Sequence, residues 1–269
     1  MRPKPRSDSG KTDRRALGQA KLLTAMRASL KDGAGIENLG FARLDHGREA
    51  RNGFPEVVFG EGKTPEQIAA ISGRILARSG RLLITRVEEP VFLFLKTRYP
   101  VLRYHHAARA VYHEGTPALR AAKAMLKGHV VVASAGTSDL PVAEEAALTA
   151  RMLGCQVTSI HDIGVAGLHR LLAELPRLRR ASVIIAVAGM EGALPSVVAG
   201  LVDKPVIGVP TSVGYGSSMK GMAALLAILN SCSSGLTVVN IDNGFGAGFA
   251  AARMLRLAQG KTRKPRKSG

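Results

Sequence analysis

The sequence predicts an α/β fold, a doubly wound parallel sheet with helices on both faces, preceded by a smaller α+β N-terminal domain. Three observations carry this. From Val130 onward, short apolar runs alternate five times with longer amphipathic ones, the grammar of strand and crossover helix. Those short runs are apolar at consecutive positions rather than alternating, as strands buried on both faces require. Before Thr116 that regularity is absent, and charged, glycine-punctuated segments surround isolated strands.

The elements follow in order. Residues 1–14 are a Pro/Ser/Lys/Arg-rich basic tail, a composition that cannot bury a core and is expected to be disordered. The small domain is expected over 15–116. It opens with an amphipathic helix, Arg15 to Leu30, ended by Gly33 and Gly35. Asp45, His46, Arg48, Arg51 and Glu56 crowd together ahead of a short strand, Val57 to Phe59. Thr64-Pro-Glu-Gln67 is a helix start with Pro65 at its first position and Gln67 closing a capping box, and the helix runs to Arg78. Leu82–Thr85 and Ala110–His113 are strands, and Tyr99–His106 an aromatic- and His-rich connection. The α/β domain, 117–258, then reads as strands Val130–Ser134, Gln156–Ile160, Ser182–Ala188, Val206–Val209 and Leu236–Ile241. The helices between and after them are Leu140–Leu153, Val165–Leu175, Gly192–Leu201, Ser218–Leu229 and Phe245–Leu257. A second basic tail, 259–269, is expected to be disordered.

Composition narrows the class. At 269 residues and 46% hydrophobic, the chain can bury a core of more than one small domain. The net charge of +18 is concentrated at the ends, +7 over residues 1–31 and +6 over 256–269. Such tails hold polyanions weakly and without sequence preference, and 4% aromatics leave no stacking platform, so nucleic acid is not the expected partner. Two cysteines without CxxC spacing argue against a disulfide framework and suit a reducing cytoplasm. No apolar run is long enough to span a membrane, and the basic N-terminus lacks the apolar segment of a secretory signal.

In a doubly wound sheet, ligands sit where strands end. The ends here are small or polar: Gly136, Thr137, Ser138 and Asp139 after the first strand; Ser159 and His161 at the second; Gly189, Met190 and Glu191 after the third; Thr211 after the fourth; Asn243 after the fifth. Ser138 or Asp139 can cap the next helix, whose N-terminus also suits phosphate. No GxxxxGK[ST] or GxGxxG loop occurs, and Gly244-Phe-Gly-Ala-Gly248 follows the last strand instead of opening the domain. Glu191 is either a first-turn charge or a general base. Cys155 lies in a strand interior and reads as structural. Cys232, among Ser231, Ser233, Ser234 and Gly235, reads as a reactive thiol or a small packing residue, and the crowd of small residues favours the thiol. His105 and His106 lack partners at ligand spacing, so no metal site is expected.

From Val130 the chain resembles the phosphoribosyl-aminoimidazole carboxylase/mutase family. Ser138-Asp139-Leu140 is similar to its Ser-Asp-Trp, Ser159-Ile-His161-Asp162 to its Ser-Ala-His-Arg, and Pro205-Val-Ile-Gly-Val-Pro210 is shared almost outright. Asp162 stands where that family has a phosphate-contacting arginine, and Ala193 where it has a second active-site histidine, which argues against ordinary purine chemistry. A longer resemblance, Phe41 to Leu257, is to the LarB family. It rests on Asp45-His-Gly-Arg48, Arg51-Asn-Gly-Phe-Pro-Glu-Val57, Glu61-Gly-Lys-Thr-Pro65, Gly136-Thr-Ser-Asp-Leu-Pro141, Asp162 to Arg170, Gly189-Met-Glu-Gly-Ala-Leu-Pro195 and Asn230-Ser-Cys to Gly248. Met219-Lys220 departs from that family's bulky-then-glycine pair.

The resemblance implies a flavodoxin-like, aminoimidazole-carboxylase-like three-layer domain. It also implies carboxylation of the pyridinium ring of nicotinic acid adenine dinucleotide with CO2 or bicarbonate, and hydrolysis of the phosphoanhydride. The products would be pyridinium-3,5-biscarboxylate mononucleotide and AMP, in the first step of nickel-pincer nucleotide synthesis. Cys232 would be the nucleophile, Glu191 the base, and Arg48 and Arg51 pyrophosphate contacts. The family implies a homo-oligomer, with an octamer among the options, and no tightly bound cofactor; a role for Mg2+ stays open. The rival readings are an aminoimidazole ribonucleotide carboxylase or mutase, and a polyanion-binding protein working through its tails.

Overall fold

The structure is a computed structural model, which describes residues 35–122 and 125–259. The helix expected over Arg15–Leu30 and, apart from Gln259, both basic tails fall outside these residues. By backbone contacts the described residues fall into two compact units that part between Glu56 and Val57.

In the first unit, β1 (Ile36–Asn38) pairs antiparallel with β2 (Arg43–Asp45) across a turn in which Asn38 Oδ1 accepts the Gly40 N–H at 2.9 Å. A short helix, α1 (Arg48–Asn52), ends at Gly53, whose left-handed φ of 78° lets its N–H reach the Glu49 carbonyl. Four members of the charged crowd read from the sequence have partners close by. Arg51 bonds Asp45, Glu56 accepts the Asp45 N–H at 2.7 Å, and His46 Nε2 meets Glu37 at 2.8 Å.

The second unit begins with a four-stranded sheet in the order β3 (Val58–Phe59), β4 (Leu82–Thr85), β6 (Ala110–His113), β5 (Arg103–His105). Helix α2 (Pro65–Ser79) starts with the expected capping box: the Gln67 N–H donates to Thr64 Oγ1, and the Thr64 N–H to the Gln67 side chain. Its buried stripe is Ile68, Ile71 and Ile75. Helix α3 (Glu89–Arg98) has no counterpart in the sequence reading, because the β-prone run Val91–Phe94 obscured the Pro90 start signal. Helix α4 (Pro117–Ala122) leads on to the larger sheet.

That sheet has five strands, all parallel, in the order β11 (Leu236–Val238), β10 (Val206–Pro210), β9 (Val183–Ala188), β7 (His129–Ser134), β8 (Gln156–Ile160). Helices α5 (Leu140–Met152), α6 (Leu168–Arg179), α7 (Ala193–Leu201), α8 (Met222–Leu229) and α9 (Gly244–Ala258) follow the strands in turn. On one face Val131, Ala133, Ile184, Ala186 and Val206 pack under Leu171, Leu178, Leu194 and Val198, all nearly solvent-free. Each large side chain so buried contributes about 1.5–3 kcal/mol. The doubly wound architecture is therefore as expected.

Local departures have physical causes. Helix α6 runs on through Pro176, which has no N–H to give the Leu172 carbonyl one turn earlier. The helix expected from Ser218 is interrupted, since Met219 and Lys220 are left-handed and α8 proper begins at Met222. Gly244 and Gly248 have a packing role. They let α9 lie against α5: a Cβ on Gly248 would stand 2.5 Å from the Ala146 carbonyl oxygen, and one on Gly244 2.9 Å from Glu145. The resemblance to a cofactor loop is a helix-packing device.

Candidate active site

The order of strands in the sheet places β8 to one side of β7 and β9 to the other, so the connections leaving β7 and β9 part from each other. Their divergence opens a crevice at the carboxyl end of the sheet, the general ligand position of such folds. It forms a cleft of about 340 Å³. Gly136–Asp139 lines one wall, Gly189–Glu191 another, and Asp162 and Arg170 close it from the β8 side, joined at 2.5 Å.

Asp139 holds this rim together. Its carboxylate accepts the Gly136 N–H at 3.0 Å, the Gly189 N–H at 3.1 Å and the Thr211 hydroxyl at 2.7 Å. One side chain thus ties the segments that follow β7, β9 and β10. Burial pushes the carboxyl above its ordinary range, against the opposing pull of those hydrogen bonds. Gly189 is required where it stands, since a Cβ would lie 2.6 Å from Thr211 Oγ1.

A second cleft of about 310 Å³ adjoins the first and shares Ser138 and Val213 with it. Arg86, just after β4, and Arg109, just before β6, line it together with Glu145 of α5 and Asp242. Arg86 is held at both ends of its guanidinium, to Glu61 at 3.2 Å and to the Asp242 carbonyl at 2.7 Å; Arg109 pairs with Glu88. Glu145 accepts the Phe245 N–H at the start of α9, and burial raises its pKa despite that bond and the nearby Arg86 charge. Among the described residues seven non-glycines have left-handed φ, and five of them, Arg86, Arg109, Asp162, Met190 and Asp242, line one of the two clefts. Backbone strain of this kind persists where the surroundings enforce it and gathers at ligand sites.

Of the residues singled out from sequence, Gly136, Thr137, Ser138, Asp139, Gly189, Met190 and Glu191 come together on the first cleft. Thr211 lies buried behind Asp139, and Asn243 caps α9 by accepting the Gly246 N–H. Neither cleft counts His161 or Ser159 among its walls. His161 bridges Ser134, at 3.0 Å, to Glu144, at 3.2 Å, and Ser159 lies 3.5 Å from Arg151. Arg48 and Arg51 belong to the first compact unit. Cys155 is buried, whereas Cys232 is exposed and lines neither cleft. It precedes β11, and in a parallel sheet the segment entering a strand lies at the rim opposite the strand ends. Among the described residues no three His, Cys, Asp or Glu side chains converge as a metal cage. No helix of the described residues is long and apolar enough to cross a membrane. Sequence reasoning missed Arg86, Arg109 and Glu145. Arg86 directly follows the apolar run Leu82–Thr85, a strand-end position that could have flagged it.

Comparison with known proteins agrees with this arrangement. Residues 36–115 match the family described as LarB/PurE-like N-terminal domain, and residues 129–267 the AIR carboxylase family. An uncharacterized protein of Methanocaldococcus jannaschii is 42% identical over 80% of this chain and 84% of its own length. The N5-carboxyaminoimidazole ribonucleotide mutase of the same organism is 36% identical over 45% of this chain and 74% of its own. A solved PurE2 variant of Treponema denticola superposes with a TM-score of 0.37 at 19% identity, covering 49% of this chain and 91% of that one. With one match on each side of the Gly115–His129 connection, the chain belongs to the AIR carboxylase family in its LarB form, a LarB/PurE-like N-terminal domain followed by the carboxylase domain.

Proposed function

We propose that this carboxylase-type enzyme carboxylates the pyridinium ring of nicotinic acid adenine dinucleotide and hydrolyses its phosphoanhydride. The products are pyridinium-3,5-biscarboxylate mononucleotide and AMP, and the setting is cytoplasmic nickel-pincer nucleotide synthesis. Family membership supports the carboxylase class. The observation that carries the choice of substrate is the position of Asp162 and Ala193: these departures from the aminoimidazole carboxylase pattern both line the first cleft. A cleft with the family's layout but without its arginine and histidine fits a different acceptor.

The chemistry follows from the electron-poor ring. A thiolate adds to ring C4 through a new C–S bond, and the electron pair displaced from the ring settles on nitrogen. The resulting dihydropyridine is an enamine, whose C5 attacks the carbon of CO2. Glu191, on the cleft rim, takes the C5 proton. The nitrogen pair then expels the thiolate and restores aromaticity. Net, one C–H bond and CO2 become a carboxylate and a proton. Water next splits the P–O–P linkage.

Cys232 is the thiol of this scheme, and a second copy of the chain delivers it. Its own segment is pinned elsewhere, by the Ser233 hydroxyl to the Ser196 carbonyl at 2.8 Å and by the Val206 N–H to the Gly235 carbonyl at 3.1 Å. Just before it, α8 carries no polar side chain, yet Met222, Leu226 and Leu229 are exposed. Residues 221–241 contain no Asp, Glu, Lys or Arg in a chain that is 22% charged. A helix apolar on every side is a buried helix, and an uncharged face is where copies of a +18 chain repel least.

The test is incubation of pure protein with the dinucleotide and carbon-13 bicarbonate. Labelled pyridinium product together with AMP is expected. Turnover of N5-carboxyaminoimidazole ribonucleotide, with no label in the pyridinium ring, would reject the reading in favour of the purine enzyme. Cys232→Ala and Glu191→Gln should each be inactive, and co-assembled in equal amounts they should regain about a quarter of wild-type activity, as random mixing in a closed oligomer gives.

A further inference from the structure

The second cleft has no part in the ring chemistry, yet it is built. Its volume of about 310 Å³ lies at the lower end of the range for small-molecule sites. It holds charges of both signs, Arg86 and Arg109 against Glu61, Glu145 and Asp242, and smooth apolar surface from Ala108, Pro141, Val142 and Val213. A polyanion would meet three carboxylates there, and a purely apolar ligand would strand all five charges. A nucleoside monophosphate unit satisfies each part. Its phosphate takes guanidinium donors, its ribose hydroxyls donate to carboxylates, and its base lies against apolar walls or a guanidinium plane.

Three of the left-handed non-glycine residues, Arg86, Arg109 and Asp242, surround this one cleft. Arg86 is also locked in place before any ligand arrives, by Glu61 and the Asp242 carbonyl, so little rotamer freedom remains to be lost on binding. The two clefts meet at Ser138, which stands in the turn just before the thirteen-residue α5. A ligand of two nucleotides linked through phosphates can therefore lie across Ser138 with one unit in each.

We propose that the cleft between Arg86, Arg109 and Glu145 is the subsite for the adenylate half of the substrate, with Arg86 and Arg109 as its phosphate contacts and Ser138 at the phosphoanhydride. This rests on the dinucleotide reading above and adds to it the residues that distinguish a two-nucleotide substrate from a one-nucleotide substrate.

Calorimetric titration of AMP into the full chain tests the subsite without turnover. AMP is expected to bind, and Arg109→Ala, a change at an exposed side chain, to weaken it at least tenfold while nicotinic acid mononucleotide binds as before. Val142→Trp, which fills the cleft, should do the same and guards against a peculiarity of one variant. In turnover, AMP should compete with the dinucleotide. AMP that fails to bind, that binds both variants as tightly as wild type, or that binds without competing with the dinucleotide overturns the proposal. If AMP binding is lost in both variants but wild-type protein never labels the pyridinium ring, the proposed reaction falls and the nucleotide subsite stands.

Discussion

Removing the Asp139 carboxylate should loosen the whole rim of the first cleft, by an amount the structure allows to be worked out. In Asp139→Ala, the Gly189 N–H and the Thr211 hydroxyl lose their acceptor in buried surroundings, while the partly buried Gly136 N–H can turn to water. A stranded buried donor costs about 1–3 kcal/mol. Against that, the variant no longer buries a carboxyl whose charged form is disfavoured there. A net loss of about 3 kcal/mol results, or more than a hundredfold in the folding equilibrium. Urea unfolding of wild type, Asp139→Ala, Thr211→Val and the double variant measures it. Because Thr211 Oγ1 donates to Asp139, the double variant should fall short of the sum of the singles by about 1 kcal/mol. A loss below about 1 kcal/mol for Asp139→Ala, or a strictly additive cycle, would show that the three segments are held by something else.

Glu145→Gln tests the second buried carboxyl. Its folded pKa is raised from 4.5, so the stability it contributes is complete below that value and is lost as pH climbs through the folded pKa. Denaturation midpoints from pH 4 to 8 should therefore show wild type losing ground to the Gln variant as pH rises, and a constant gap refutes this. Gly248→Val drives a side chain into the Ala146 carbonyl and should lower stability by about 1–3 kcal/mol, read as a fall in melting temperature. Leu226→Glu places a charge on the uncharged α8 face. Light scattering should report a lower mass than wild type with the circular dichroism spectrum kept, and an unchanged mass would remove the role given to that face.

The parallel sheet was readable because buried strands leave a continuous signal, as in Val130–Val132 and Val183–Ala188. The first cleft was readable for a related reason. The strand order of such sheets places the segments after β7 and β9 side by side, and their residues are small and polar. The second cleft was not readable. Arg86, Glu145 and Asp242 meet only because the four-stranded sheet and α9 both pack near α5, and pairings that distant leave no periodic trace. Asp139 was picked out as a possible substrate contact, while its tie to Thr211, 72 positions away, depends on the loop after β10 turning back over the rim. Cys232 shows the opposite limit. Its small-residue setting is plain in sequence, but which rim of the sheet it occupies follows only from the direction of β11.

The left-handed residues around the clefts bear on how this protein would respond to selection for heat resistance. Asp tolerates that conformation, but at Arg86, Arg109 and Met190 it costs about 1 kcal/mol each relative to glycine. Glycine at Met190 would relieve the strain and remove a wall of the first cleft in the same step. Variants selected for endurance alone should accumulate changes at these rim positions first and lose turnover as they gain melting temperature, whereas changes far from the rims should improve one without the other.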